Sequence, residues 1–190
     1  GAGPGAGSIR CEQARARALA LAREDPLTGL LNRRGFLEVL RATPLDRSTL
    51  VAVLDMDGFR LVNDGFGHAA GDLVLTSLAA RLCASVPQAT PIARIGSDEF
   101  ALLLQAPSAA EVSAVIDHLV AQCNGTLQVA GLSVPVAVTL GTATPASGGA
   151  DAILQHADLA KARAKRTGGR LAAYDAALGE PCQLVRRVVP

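Results

Sequence analysis

The chain has 190 residues, of which 49% are hydrophobic and 18% charged, and its formal net charge is +1. That length suits one ordinary domain with a real core, and the apolar fraction with near-neutral charge excludes disorder as the main state. The balanced charge argues against a dedicated nucleic-acid binder, and no apolar run approaches the length of a membrane span.

The opening Gly1–Ser8 is low-complexity and reads as a flexible linker or cloning remnant. Ile9 to Glu24 is rich in Ala, Arg and Glu, a helix composition, with Cys11, Ala14, Ala18 and Leu21 at heptad spacing. Two readings stay open there: a short parallel coiled coil, or a helix packed on its own domain. Asp25-Pro26 stops this helix, and Asn32 is a plausible N-cap for the next, Arg33 to about Arg41, with Phe36, Leu37 and Leu40 on one face. Ser48 to Leu54 reads as a buried strand ending in Asp55-Met56-Asp57. A short polar helical stretch, Gly58 to Asp64, and a turn at Gly65-Phe66-Gly67 come next. An amphipathic helix then runs from Asp72 to about Ala84, with Leu73, Leu75, Leu78, Ala79 and Leu82 inward.

Pro91–Ile95 and Glu99–Gln105 read as strands of a hairpin around Gly96-Ser97-Asp98. Ala109–Gln122 is predicted helical, Leu132–Ala143 a strand, and Ala150–Arg166 a helix capped by Gly168-Gly169. Leu171–Tyr174 is read as a final edge strand and the tail from 177 onward as uninformative. The order strand, helix, strand, strand, helix, strand is the split βαβ arrangement, an antiparallel sheet with helices on one face.

The four cysteines, at 11, 83, 123 and 182, show no zinc spacing and read as reduced, cytosolic thiols. No charged-then-apolar leader opens the chain, so no signal peptide is read. With four Phe, one Tyr and no Trp, stacking platforms for single-stranded nucleic acid are not expected.

Asp55 follows a buried strand directly, and Asp98-Glu99 sits at the hairpin tip. In this topology the inner strands lie side by side, so Asp55 and Asp98 converge at one sheet edge. Converging carboxylates repel and need a cation, and oxygen-only ligation with few carboxylates suits Mg²⁺. Solvated acids at strand ends are the alternative.

Asp25-Pro-Leu-Thr-Gly-Leu-Leu-Asn-Arg-Arg34 resembles the opening signature of the GGDEF family, the diguanylate cyclases. Asp55-Met-Asp-Gly-Phe-Arg-Leu-Val-Asn-Asp64, with Phe66-Gly-His68 and Gly71-Asp72, resembles its metal and guanine segment. Arg94-Ile-Gly-Ser-Asp-Glu-Phe100 stands where the naming motif belongs, and Val138-Thr-Leu-Gly141 and Ala157-Asp158 through Ala164-Lys165 match later elements.

The resemblance implies an α+β fold, a ferredoxin-like nucleotide-cyclase palm whose mainly antiparallel sheet has helices packed around it. It divides the chain into an N-terminal signalling or dimerisation helix at 9–24, a GGDEF-like domain at 25–176 and a tail at 177–190. It implies that Asp55, the Met56 carbonyl and Asp98 hold Mg²⁺ (or Mn²⁺), that Glu99 assists a second ion, and that Asp98 helps deprotonate a ribose 3′-hydroxyl. Asn63 and Asp72 would bond the guanine edge. His68 would lie near the base, or serve as a helix-start or packing histidine. Gly96 and Ser97 would lie along the substrate, and Lys165 would reach the phosphates, with Arg170 or Arg166 in place of an arginine expected at Gly169.

The implied reaction joins two GTP into cyclic di-GMP across a homodimer in the cytoplasm, with an upstream sensor as a further partner and neither nucleic acid nor membrane engaged. The alternatives are a degenerate domain that binds a guanine nucleotide as a regulatory module, and a dimerisation domain with no nucleotide.

Several positions depart from the pattern. Ser97 replaces the second motif glycine. In a type I′ turn it would be strained by roughly 1–2 kcal/mol, and in a type II′ turn it would fit. Ala162 replaces an aromatic. Pro87 and Thr90 replace the Arg and Asp of the family's product-inhibition site, so no such feedback site is expected. Lys161 and Lys165 are the only lysines in an arginine-rich chain. At 165 a compact point charge answers a specific need, or chance placed it there; Lys161 carries no assigned role.

Overall fold

The computed structural model describes residues 22–46, 48–105, 108–145, 149–175 and 180–183. The linker at 1–8 and nearly all of the helix at 9–24, with its heptad positions, lie outside them.

Leu31–Asn32 forms a two-residue strand, β1, and Arg33–Ala42 the helix α1. Asn32 caps it as the sequence predicts, its side chain accepting from the Gly35 amide at 2.9 Å. Thr49–Met56 forms β2, buried at every position. Phe59–Phe66 is α2 and His68–Ala84 is α3, parted by Gly67 at φ +83°. The α3 helix therefore begins four residues before the predicted start at Asp72. Its buried face is Gly71, Val74, Leu75, Leu78, Ala79 and Leu82, whereas Leu73, predicted inward, is 45% exposed.

Ile92–Arg94 and Glu99–Gln105 form β3 and β4, and Ala109–Cys123 forms α4 with Ser108 as its cap. The long strand predicted over 132–143 is two strands. Leu132–Val136, β6, pairs with Gly125–Val129, β5, in a separate hairpin turned at Ala130 and Gly131, both at positive φ. Val138–Ala143, β7, enters the main sheet. Gly149–Arg166 forms α5, Leu171–Asp175 β8 and Glu180–Gln183 β9. The β8 strand is thus not the sheet edge, because β9 pairs beyond it.

The main sheet has the order β1-β3-β4-β2-β7-β8-β9. It is α+β and mainly antiparallel, with parallel pairing only between β1 and β3 and between β7 and β8. Helices cover both faces, which corrects the one-face reading. Leu50, Ala52, Leu54 and Met56 of β2 join Val74 and Leu78 of α3 and Leu119 of α4 in one core. The alternate residues Val51 and Val53 join Phe36 and Leu40 of α1 and Ile153, Leu154 and Ala157 of α5 in another. A central strand covered on both sides has no polar face, which explains the unbroken apolar run before Asp55. No helix among the described residues is long and apolar enough to cross a membrane.

Cys123 is wholly buried, and burial pushes its thiol up to about 11 against the opposing pull of Arg81, while Cys83 is exposed. Brief alkylation of the folded protein near pH 8, followed by peptide mass mapping, is expected to label Cys83 and spare Cys123. Label on Cys123 without denaturant would contradict this packing.

Candidate active site at the β2 and hairpin ends

Strand pairing brings the acids together. Asp55 lies in register opposite Glu99 on one side and Thr139 on the other. The Met56 amide donates to the Asp98 carbonyl at 3.1 Å, which stitches the hairpin tip to the end of β2. Asp55 points the same way as Val51 and Val53, onto the α5 side of the sheet, and is only 9% exposed. Burial holds its carboxyl above the ordinary carboxylate range; Lys165 pulls against this, and the neighbouring Asp98 charge adds to the rise.

Two ammonium groups from successive turns of α5 stand among these acids. Lys165 pairs with Asp55 and lies 3.7 Å from Asp57. Lys161, 5% exposed, pairs with Glu99, lies 2.8 Å from Asp158 and reaches within 4.0 Å of Asp55. Burial disfavours its charge, yet the bonds to Asp158 and Glu99 outweigh that and hold its pKa above the ordinary lysine range. The Thr139 hydroxyl donates to Asp57 at 2.8 Å, and Arg170 stands 3.8 Å from Asp57 while donating to Asn124 at 3.0 Å. Asp98 accepts from the Ser97 hydroxyl at 2.7 Å and has no ion pair among the described residues.

The hairpin is held from below. The Arg94 guanidinium donates to the Ser97 carbonyl at 2.6 Å and pairs with Asp25 at 3.2 Å, and the Thr28 hydroxyl donates to Asp25 at 2.8 Å. The opening Asp25-Pro-Leu-Thr28 segment thus reaches the turn through one arginine. Neither Gly96 nor Ser97 has a left-handed φ, so the turn is neither of the two primed types weighed from the sequence, and Ser97 is unstrained. Ser97→Gly is therefore expected to lower stability by about 0.5–1 kcal/mol in urea unfolding, through chain entropy and the lost hydroxyl bond. A gain above about 1 kcal/mol, as relief of strain would give, would contradict this geometry.

Asn63, His68 and Asp72 lie on the α2–α3 pair that follows β2, on elements separate from those that carry the acids. His68 is the first residue of α3 and, like Asp72, is exposed. The Asn63 side-chain oxygen is buried with no hydrogen-bond partner, and a Cβ on Gly71 would meet it at 1.9 Å. Gly71 therefore leaves room for an amide that keeps a free acceptor.

A cavity of about 370 Å³ lined by Asp57, Thr139, Lys165, Gly168, Gly169 and Arg170 opens beside the acids. Another cavity, of about 390 Å³, is lined in part by Arg33, Glu99, Asp151 and Asp158.

Among the described residues no three His, Cys, Asp or Glu side chains close around a metal-sized space. The donor chemistry nonetheless fits a small hard cation. The Asp98 charge pushes the Asp55 carboxyl up, Asp98 has no ion pair among the described residues, and the donors nearby are carboxylate and carbonyl oxygens.

The model of the family described as "Diguanylate cyclase, GGDEF domain" matches residues 22–170. The chain belongs to the GGDEF family. This GGDEF domain is 38% identical to the diguanylate cyclase DgcP of Pseudomonas aeruginosa over 152 residues, covering 76% of this chain and 22% of DgcP. It is 37% identical over 160 residues to the diguanylate cyclase TpbB of the same species, covering 76% of this chain and 35% of that one. The chain therefore spans about a fifth to a third of the curated relatives it matches. Among solved structures, the isolated GGDEF domain of TpbB superposes with a TM-score of 0.74 at 32% identity, covering 80% of this chain and 95% of that one. The coiled coil and GGDEF domain of Caulobacter crescentus DgcB, solved with c-di-GMP, gives 0.80 at 24% identity and covers 88% and 94% of the two chains, a likeness of fold.

Sequence reasoning placed Asp55, Asp98, Glu99 and Lys165 in one neighbourhood, and the structure brings them together. It passed over Lys161, Thr139 and the Asp25–Arg94 clamp. The available signal for Lys161 was its spacing of four residues from Lys165, which puts both on one helix face.

Proposed function

We propose that this GGDEF domain is a diguanylate cyclase that condenses two GTP into cyclic di-GMP. The observation that carries the reading is the meeting of Asp55 and Glu99 in register, with Asp98 at the adjoining tip and Lys165 on Asp55.

Asp55, the Met56 carbonyl and Asp98 would hold Mg²⁺ or Mn²⁺. Such an ion supplies Lewis acidity toward the phosphate oxygens and lowers the pKa of the attacking hydroxyl. Lys165 is 39% exposed at its side chain, which lets its ammonium turn from Asp55 toward a triphosphate in the cavity it lines. Arg170 lines the same cavity and gives a second cation to the phosphates, while Gly169 leaves it open. Gly96 and Ser97 form the turn along which the nucleotide would lie, and Glu99 is the remaining acid, held by Lys161. Asn63 and Asp72 would read the guanine edge, because a carboxylate suits the N1–H and amino donors that adenine lacks as a pair. His68, at the start of α3, would border the base.

In the reaction each ribose 3′-oxygen forms a bond to the α-phosphorus of the other GTP. The bond to the bridging oxygen breaks, pyrophosphate leaves, and Asp98 takes up the 3′ proton. One domain would hold one GTP, so two copies must face each other in a homodimer, as a cytoplasmic output module beneath an upstream sensor.

A second reading, a regulatory module that binds GTP without turning it over, draws support from the ammonium groups already on Asp55 and Glu99 and from Gly169. Incubation of the purified protein with GTP and Mg²⁺ or Mn²⁺, followed by mass spectrometry, separates the two. Cyclic di-GMP is expected; GTP bound without product would select the module, and no GTP binding would overturn both.

A further inference from the structure

We infer that the buried ammonium of Lys161 is a resident cation on Glu99 that stands in for a second divalent ion, so that this site takes one metal per nucleotide, between Asp55 and Asp98. The inference rests on the nucleotide reading above and deepens it.

One Glu99 oxygen is committed. Oε1 accepts from Lys161, and Oε2 packs close to the turn, 2.6 Å from where a Cβ on Gly96 would sit. The ammonium cannot swing into water to vacate Glu99. The Lys161 side chain is 7% exposed, and its backbone sits where α5 crosses β7, its amide nitrogen 2.1 Å from where a Cβ on Gly141 would be. Asp158 on the same helix and Asp55 at 4.0 Å are its other carboxylate neighbours, so three acids hold the Lys161 ammonium in place beside Glu99.

A divalent ion on Glu99 would meet the like charge of the Lys161 ammonium already paired with that carboxylate. The Lys161 side chain is nearly buried, so solvent screens this repulsion poorly. The demand for a cation falls instead at Asp98, which has no ion pair among the described residues and which repels Asp55. Lys165 does not fill that demand, because it is placed on Asp55 and Asp57 and is far more exposed. Lys161 is therefore a positioning residue: it acts on Glu99 and, through it, on metal count.

The test counts Mn²⁺ by electron paramagnetic resonance on the whole chain saturated with 3′-deoxy-GTP, which lacks the attacking hydroxyl. Wild type is expected to bind about one ion per nucleotide, Lys161→Met about two, and Lys161→Arg about one, since releasing Glu99 frees a carboxylate for a second ion. Two ions in wild type, or one in a folded Lys161→Met, would overturn the inference and leave the cyclase reading standing. No ion with bound nucleotide in wild type would overturn both. Should Lys161→Met fail to fold, Glu99→Gln decides. Its Mn²⁺ affinity is expected within about threefold of wild type, and a loss of about tenfold or more would make Glu99 a direct ligand and end the proposal.

Discussion

Asp98→Ala is expected to abolish cyclic di-GMP formation, with a loss of about a thousandfold or more, while GTP binding weakens far less. The carboxylate is the acid at the hairpin tip that has no ion pair among the described residues; in the proposed reaction it would have two tasks, completing the cation's oxygen shell beside Asp55 and taking the 3′ proton. Metal-borne charge stabilisation supplies several kcal/mol of a phosphoryl-transfer barrier, and each 1.4 kcal/mol is about tenfold in rate. The residues proposed to read guanine, Asn63 and Asp72, by contrast lie on α2 and α3, away from the substitution. Initial rates by mass spectrometry and GTP affinity by calorimetry separate the two effects. A variant that keeps a tenth of wild-type turnover would remove Asp98 from the chemistry.

Gly141→Ala is expected to carry the largest stability loss of the changes considered. The added Cβ would stand 2.1 Å from the Ala157 carbonyl oxygen and from the Lys161 amide nitrogen, and these are backbone atoms that cannot rotate away. Helix α5 would have to lift from β7, opening the core that Ile153, Leu154 and Ala157 share with β2. Overpacking of this kind costs about 3 kcal/mol, which for a domain of this size lowers Tm by roughly 6–12 °C. The same shift would carry Lys161 and Lys165 off Glu99 and Asp55, so activity should fall even below the melting transition. An unchanged Tm in calorimetry would mean that the helix does not cross the sheet at Gly141.

What the sequence made legible follows from how local each signal is. The β2 strand was readable because a strand covered on both faces leaves an unbroken Val, Leu and Ala run, and α1 because Asn32 caps it three residues before Gly35. Which face each helix covers is a tertiary matter. Nothing local to α1 or α5 says that they pack opposite α3 and α4, and so a two-faced sheet was read as one-faced. The β5 strand went unread because Gly125 and the polar Thr126 and Gln128 mask a run whose buried residues are Leu127 and Val129. Its partner was fused with β7, since the break at Ala137 carries no turn residue. There the Ala137 carbonyl accepts from the Asp57 amide at 2.8 Å, a long-range bond that no local pattern announces.

The site divides in the same way. Asp55, Asp98 and Glu99 were legible because strand ends and a hairpin tip are fixed by topology, and strand register then sets Asp55 opposite Glu99. The part played by Lys161 was not. A lysine in a helix reads as solvated, and only the crossing of α5 over Gly141 buries its stem and directs its ammonium to Glu99. The fate of Ser97 was likewise undecidable, because the penalty depends on a backbone angle set by the Arg94 and Asp25 clamp from a distant segment.

The account stands on Asp55 and Asp98 jointly demanding a divalent cation. Calorimetric titration of Mn²⁺ into the 3′-deoxy-GTP complex, in wild type and in Asp55→Asn, tests this most directly. Wild type should bind the ion and Asp55→Asn should lose at least about tenfold in affinity, since one of two anionic ligands becomes a neutral amide. Equal affinity in the two proteins would contradict the account.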